Sequence, residues 1–265
     1  MDTNSNQARR VVIGITAHVD AGKTTLAEAM LYRTGRLRKL GRVDHGSAAM
    51  DSHLLERERG ITIFSSQAEL PIGDLEVTLL DTPGHVDFSA EMERTLSVLD
   101  YAILVISGAD GIQAHTRTLW RLLELYRIPT FLFVTKMDFG RCGRGQMMEH
   151  LRHELGEGCV DFTPADRERR MEQLATCRED ALEAYLDGGE VPDALVRQLV
   201  GRRLVFPCWF GSGLKLEGID EFLEGLARYV EPPAYPAAFS ARVFKISHDP
   251  QGKRLTHLKV TGGTL

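Results

Sequence analysis

An α/β fold, a mostly parallel sheet with helices on both faces, is predicted by three features of the sequence. Short apolar runs alternate with longer amphipathic ones, as strands joined by crossover helices require. Most of the short runs are apolar throughout rather than alternating, as strands covered on both faces are. The first run leads directly into a Gly-containing loop and then into a helical pattern.

Taken in order, VVIGITA is the first expected strand, followed by the loop Ala17–Thr25 and a helix over about Lys23–Thr34. EVTLLDT, YAILVIS, TFLFVTK and RLVFPCWF are the second to fifth strands, with helices over Phe88–Leu99, Gln113–Tyr126 and Leu216–Val230. Gly35 to Gly60 is long, polar and Gly-containing, and reads as a functional loop. Residues 139–203 are rich in Arg and Glu, and RERRMEQLATCREDALEAYL has helical periodicity, so a helical subdomain is expected between the fourth and fifth strands. Acids balance the arginines there, which suits a solvated face. EPPAYPA reads as a linker (232–236), and residues 237–265 as two strands around the HDPQGK turn. Two strands do not make a stable domain. The expectation is therefore a truncated, β-rich second domain after a main domain of residues 10–138 and 204–231, with 1–9 a disordered tail.

Composition narrows the function. The 265 residues are 43% hydrophobic and 26% charged, ordinary for a soluble domain, and carry a formal charge of −5. That sign argues against coating nucleic acid by bulk attraction. The four cysteines, Cys142, Cys159, Cys177 and Cys208, form no C-x-x-C pair and suit free thiols. A polar N-terminus and the absence of a long apolar run point to a cytoplasmic protein with no membrane partner.

The chemistry lies in four short segments. AHVDAGKTT (Ala17, His18, Val19, Asp20, Ala21, Gly22, Lys23, Thr24, Thr25) matches the phosphate-loop pattern except that Ala17 stands at its first Gly. Ala is tolerated there if the backbone keeps φ negative. Backbone N–H groups at a helix start would surround phosphate oxygens, Lys23 would neutralise the β- and γ-phosphates, and Thr24 would ligate Mg²⁺. In DTPGH, Asp81 would hold Mg²⁺ through water if its strand neighbours the first, and the Gly84 N–H would meet the γ-phosphate. In TKMD (Thr135, Lys136, Asp138), the Asp138 carboxylate can accept from guanine N1–H and the 2-amino group, neither of which adenine offers, while Lys136 packs its stem on the base. GSG, with Ser212, Gly213 and the following Leu214, would present N–H groups to guanine O6. Each segment alone also reads as an ordinary turn; the pairing of Lys23 and Thr24 with Asp81 is far more specific.

The ordered set AHVDAGKTT, RGITI, DTPGH, TKMD and GSG resembles the translational GTPases. It is similar to elongation factor G and, more closely, to the tetracycline-resistance ribosomal protection proteins, on LLERERGITI, LSVLDYAILVISGADGIQAHTRTL and VFPCWFGSG. The likeness runs from about Val11 to Leu265, weakest over 139–203, where the insert is shorter than in elongation factor G. The resemblance implies a P-loop NTPase fold, the start of a β-barrel second domain, and GTP/GDP with Mg²⁺ as cofactors. It also implies a ribosome-stimulated GTPase of translation acting as a monomer on rRNA and ribosomal proteins through the full-length protein, without DNA; an elongation factor G-like translocation factor is the alternative. By the same resemblance Thr62 closes over the γ-phosphate and adds a Mg²⁺ ligand, and His85 orients the attacking water. Val19 and Ile61 match an apolar pair restraining His85, with ordinary packing an equal alternative. Asp20 matches an acid near the phosphates, with helix capping equally open, while Arg57 and Arg59 read as solvated. The switch elements would be Gly35–Ile63 and Asp81–Glu93. One departure bears on affinity: the family more often has Asn where Thr135 stands, an Asn that bonds guanine N7 and braces the phosphate loop.

Overall fold

The computed structural model describes residues 9–39, 66–82, 89–139, 142–164, 167–249 and 251–264. Nine strands are described: β1 Arg9–Ala17, β2 Ser66–Ile72, β3 Leu75–Asp81, β4 Tyr101–Ser107, β5 Thr130–Thr135, β6 Cys159–Asp161, β7 Phe206–Phe210, β8 Ser240–His248 and β9 Arg254–Gly262. The described helices are α1 Lys23–Arg33, α2 Ser89–Leu96, α3 Ala114–Leu125, α4 Arg144–Leu155, α5 Arg167–Ala175, α6 Glu179–Gly188, α7 Asp193–Gly201 and α8 Ile219–Tyr229.

The main sheet has the order β2-β3-β1-β4-β5-β7-β6, parallel except for β2. β4, β5 and β7 are buried along their whole length, as their unbroken apolar runs predict. One face carries a core of Leu26 and Met30 from α1, Leu174 from α5, Leu199 from α7 and Phe222 and Leu226 from α8 around Phe131, Phe133 and Trp209. The other face is covered by Met92 and Leu96 of α2, Leu119 and Leu123 of α3, and Met148 and Leu151 of α4. Each fully buried large side chain contributes roughly 1.5–3 kcal/mol relative to exposure.

Several expectations need correction. Among the described residues the main sheet has seven strands, where five were expected. β2 was missed because Ser66–Ile72 is polar and contains Pro71, which an edge strand tolerates; it pairs with β3 across the tight turn Gly73–Asp74, where Gly73 has φ 61°. The insert is not purely helical. It supplies β6, which joins the main sheet at its edge beside β7. The periodic stretch RERRMEQLATCREDALEAYL forms two helices, α5 and α6, not one. Arg9, assigned to the tail, opens β1 and ion-pairs with Asp74 at 3.2 Å.

β8 and β9 pair antiparallel around the HDPQGK turn as expected. In the segment before them the Tyr235 hydroxyl donates to Asp100 Oδ1 at 3.0 Å, and Lys259 of β9 reaches the same carboxylate at 2.5 Å. All four cysteines are free. No helix among the described residues is long and apolar enough to cross a membrane.

Candidate functional site

Chain order sets the site. β1 lies between β3 and β4, so the connection leaving β1 goes to one side of the sheet and the chain later returns on the other. At such a switch point the loops beyond the carboxyl ends of the strands leave a crevice between them, where ligands bind in open α/β sheets.

The register puts Asp81 opposite Ile15, two residues before β1 ends. Thr82 closes the gap, donating from its N–H (3.1 Å) and its hydroxyl (2.8 Å) to the Ile15 carbonyl. Asp81 is fully buried and Lys23 is 8% exposed; the Lys23 ammonium donates to Asp81 Oδ1 and, at 2.6 Å, to the Thr82 carbonyl. The expectation that Asp81 sits beside the first loop is met. Ala17 is absent from the positive-φ residues, so its Cβ is accommodated as the sequence reading required.

The start of α1 is arranged for an anion. Its N-cap is Gly22, at φ 92°, a conformation that penalises any residue with a Cβ. No side chain caps the helix and its first turn holds no acid. The orphan N–H groups of that turn and the helix dipole favour a bound oxyanion. Asp20, at φ 60°, lies outside the cap, so capping α1 is not its role. His18 packs near His115 of α3, ring centroids 6.0 Å apart, a contact between segments too distant in sequence to be foreseen.

The base-recognition segments close on the same loop. The Thr135 hydroxyl lies 2.5 Å from the Ala21 carbonyl and 3.2 Å from that of Ile106. The brace expected of Asn is thus made by Thr. Gly211 N–H donates to the Val134 carbonyl at 2.9 Å, tying the GSG turn to the end of β5. A Cβ on Gly213 would come within 3.1 Å of the Thr25 carbonyl, so that turn rests directly on α1. Ser212 is buried, its backbone exchanging 3.0 Å hydrogen bonds with Glu217, and Leu214 is half-exposed. Lys136 stands at φ 54°, its ammonium 3.9 Å from Asp110.

Asp138 has a partner that sequence reasoning missed. Lys215 Nζ lies 2.9 Å from its Oδ2, and that hydrogen bond holds the Asp138 carboxyl below its ordinary range while raising the lysine. A basic residue immediately after GSGL was the available signal. Thr62, Gly84 and His85, with Arg57, Arg59 and Ile61, lie outside the described residues, as do positions 40–63 of the first expected switch element and 83–88 of the second.

Residues 8–232 match the family model of the elongation factor Tu GTP-binding domain. The chain belongs to that family. Within it, the chain is 39% identical over 282 residues to the oxytetracycline resistance protein of Streptomyces rimosus, covering 96% of this chain and 42% of that one. It is 35% identical over 273 residues to the tetracycline resistance protein TetM from transposon Tn916 of Enterococcus faecalis, with the same two coverages. A solved structure from Thermus thermophilus superposes with a TM-score of 0.86 at 27% identity, covering 97% of this chain and 46% of the other. The chain thus spans less than half the length of these relatives. As a GTP-binding domain of this family, it presents four separated segments, around Lys23, Asp81, Thr135 and Ser212, at one rim of a parallel sheet.

Proposed function

We propose that the chain is the GTP-hydrolysing switch domain of a ribosome-dependent translation factor of the tetracycline-resistance ribosomal protection type. The observation that carries this reading is the convergence of the phosphate loop, Asp81, Thr135–Asp138 and the GSG turn through buried hydrogen bonds. In this reading GTP occupies the rim, with its phosphates on the uncapped start of α1. Lys23 exchanges Asp81 and the Thr82 carbonyl for β- and γ-phosphate oxygens. Asp138 and Lys215 separate so that the carboxylate accepts from guanine, with the Ser212 and Gly213 N–H groups facing O6.

The oxygen donors present, the Thr24 hydroxyl and the buried Asp81 carboxylate on adjacent elements, suit a hard divalent ion that keeps phosphate and water ligands. Mg²⁺ held by Thr24, by Asp81 through water and by Thr62 would neutralise charge developing on the phosphates. This chain's own contribution is positioning and electrostatics: Lys23 and the α1 N–H groups hold the γ-phosphoryl group, and His85 orients water as nucleophile. The full-length factor works in the cytoplasm, through ribosomal RNA and ribosomal proteins.

Two measurements test this. Asp138→Asn should lose GTP and gain xanthosine triphosphate; unchanged GTP preference would remove Asp138 from base recognition. Full-length protein added to ribosomes carrying labelled tetracycline should release label with GTP and not with GDP. Ribosome-stimulated hydrolysis without release would move the function to elongation, and no stimulation would refute a ribosomal switch.

A further inference from the structure

Asp138 and Lys215 come from two loops that the sheet makes neighbours. β5 and β7 pair in parallel, with Val134 opposite Phe210, so the segment after each strand leaves from the same rim. After β5 the chain turns at once, the Phe139 N–H donating to the Lys136 carbonyl at 3.1 Å, and Asp138 lies within that turn. After β7 it closes a second loop, in which Ser212 and Glu217 exchange backbone hydrogen bonds of 3.0 Å. Inside this loop the Lys215 N–H meets the Ser212 hydroxyl at 3.4 Å, and Leu216 is held at φ 60°, where a residue with a Cβ rarely sits. Local hydrogen bonds thus set both backbones, and the two side chains meet with Lys215 Nζ 2.9 Å from Asp138 Oδ2.

That contact and a guanine base compete for the same atoms. The base would bring two parallel N–H donors to the two carboxylate oxygens, and such bonds are strong because the acceptor is charged. An ammonium on one oxygen draws negative charge from both and weakens the acceptor. The Asp138 side chain is 12% exposed and that of Lys215 is 52% exposed, so the carboxylate is the confined partner and the ammonium has water to turn to. Glu217 also attracts Lys215, more weakly than Asp138 does, and offers the released cation a second acid. Lys136 takes a different acid: its ammonium lies 3.9 Å from Asp110, which accepts from the Ser107 hydroxyl at 2.6 Å.

We propose that Lys215 is a latch on the guanine pocket: its ammonium competes with the base for the Asp138 carboxylate and holds guanine-nucleotide affinity below what the pocket alone would give. The inference rests on Asp138 being the guanine acceptor of the proposed function. A nucleotide then binds the fraction of molecules in which the pair is open, and its apparent dissociation constant rises by the inverse of that fraction. For an ion pair with one exposed partner the factor is about two- to fivefold. Ionic strength tunes it, because salt screens an exposed pair.

The test compares GDP titrations by calorimetry for the wild-type chain and K215M, which removes the ammonium and keeps an apolar stem to lie against the base. At low salt K215M should bind GDP about two- to fivefold more tightly. The gain should shrink toward none as sodium chloride is raised, which a change in packing would not do. K215R keeps the cation and should show no gain. In a D138N background titrated with xanthosine diphosphate, the amide carries no charge for Lys215 to hold, and K215M should change nothing. GDP binding unchanged or weaker in K215M at low salt overturns the latch, as does a gain that survives high salt or the D138N background. If D138N fails to switch from GDP to xanthosine diphosphate, the base reading of Asp138 falls and the latch falls with it; a successful switch without a gain in K215M overturns the latch alone.

Discussion

Thr135→Val tests the reasoning about the phosphate loop most directly, because it removes a hydroxyl and keeps the shape of the side chain. Thr135 is 3% exposed, and its hydroxyl is 2.5 Å from the Ala21 carbonyl, which precedes the first turn of α1. Val leaves that carbonyl facing a methyl group. An unsatisfied buried acceptor costs about 1–3 kcal/mol, which should appear as a lower unfolding free energy in urea at unchanged m-value. Because the same carbonyl belongs to the nucleotide loop, GDP affinity measured by calorimetry should also fall. A loss of about 1–3 kcal/mol in binding free energy would, at about 1.4 kcal/mol per tenfold, be a roughly fivefold to hundredfold weaker affinity. Thr135→Ser keeps the donor and should recover most of both losses. A Val variant within about 0.3 kcal/mol of wild type would refute the brace as a net stabiliser. Lost stability with unchanged GDP affinity would refute its role in positioning the loop.

Other perturbations follow from the same contacts. Lys23→Met in the nucleotide-free chain leaves the fully buried Asp81 carboxylate without its ammonium, which should cost about 3–5 kcal/mol. The double variant K23M/D81N should cost less than the sum of the two single changes, and additive losses in urea unfolding would show that the pair is not coupled. The Asp138 carboxyl is held below its ordinary range by Lys215, so the stability from this contact is present above the unfolded carboxylate range and lost as pH falls through the depressed folded value. Lys215→Met should therefore move the Asp138 carboxyl titration seen by NMR upward, and an unmoved curve would remove Lys215 as the cause. Gly225→Ala would place a Cβ 2.2 Å from Trp209 Cζ2, inside the core between α8 and the sheet; overpacking of that kind costs typically about 1–3 kcal/mol, and an unchanged melting temperature would contradict it.

The parts of this protein legible in the sequence are those in which a few adjacent residues carry the whole signal. Gly22-Lys23-Thr24 after an apolar run specifies a strand, a turn and an anion-binding helix start because backbone geometry and side-chain chemistry are both local there. Unbroken apolar runs at Tyr101–Ser107 and Thr130–Thr135 likewise identified buried parallel strands, since burial on both faces removes any alternation. β2 was hidden because an edge strand with one solvated face needs little hydrophobicity. β6 was hidden because three residues are too few to show a period.

Pairings across sequence distance were decided by tertiary structure. No local pattern around Thr135 indicates that its hydroxyl meets the carbonyl of Ala21, 114 positions away, and the family resemblance implied such a brace only for Asn; the contact exists because β1 and β5 flank β4 and end at one rim. The arginines of α4 and α5 read as a solvated face, because acids balance them along the chain. Folding distributes the pairs: Arg144 of α4 takes Asp161 of β6 at 2.7 Å, while other acids of the insert pair elsewhere, as Glu190 does with Arg167 and Asp193 with Arg228. Charge balance along a sequence is a sum. An ion pair depends on distance, and only the packing of the helices against β6 sets the distances.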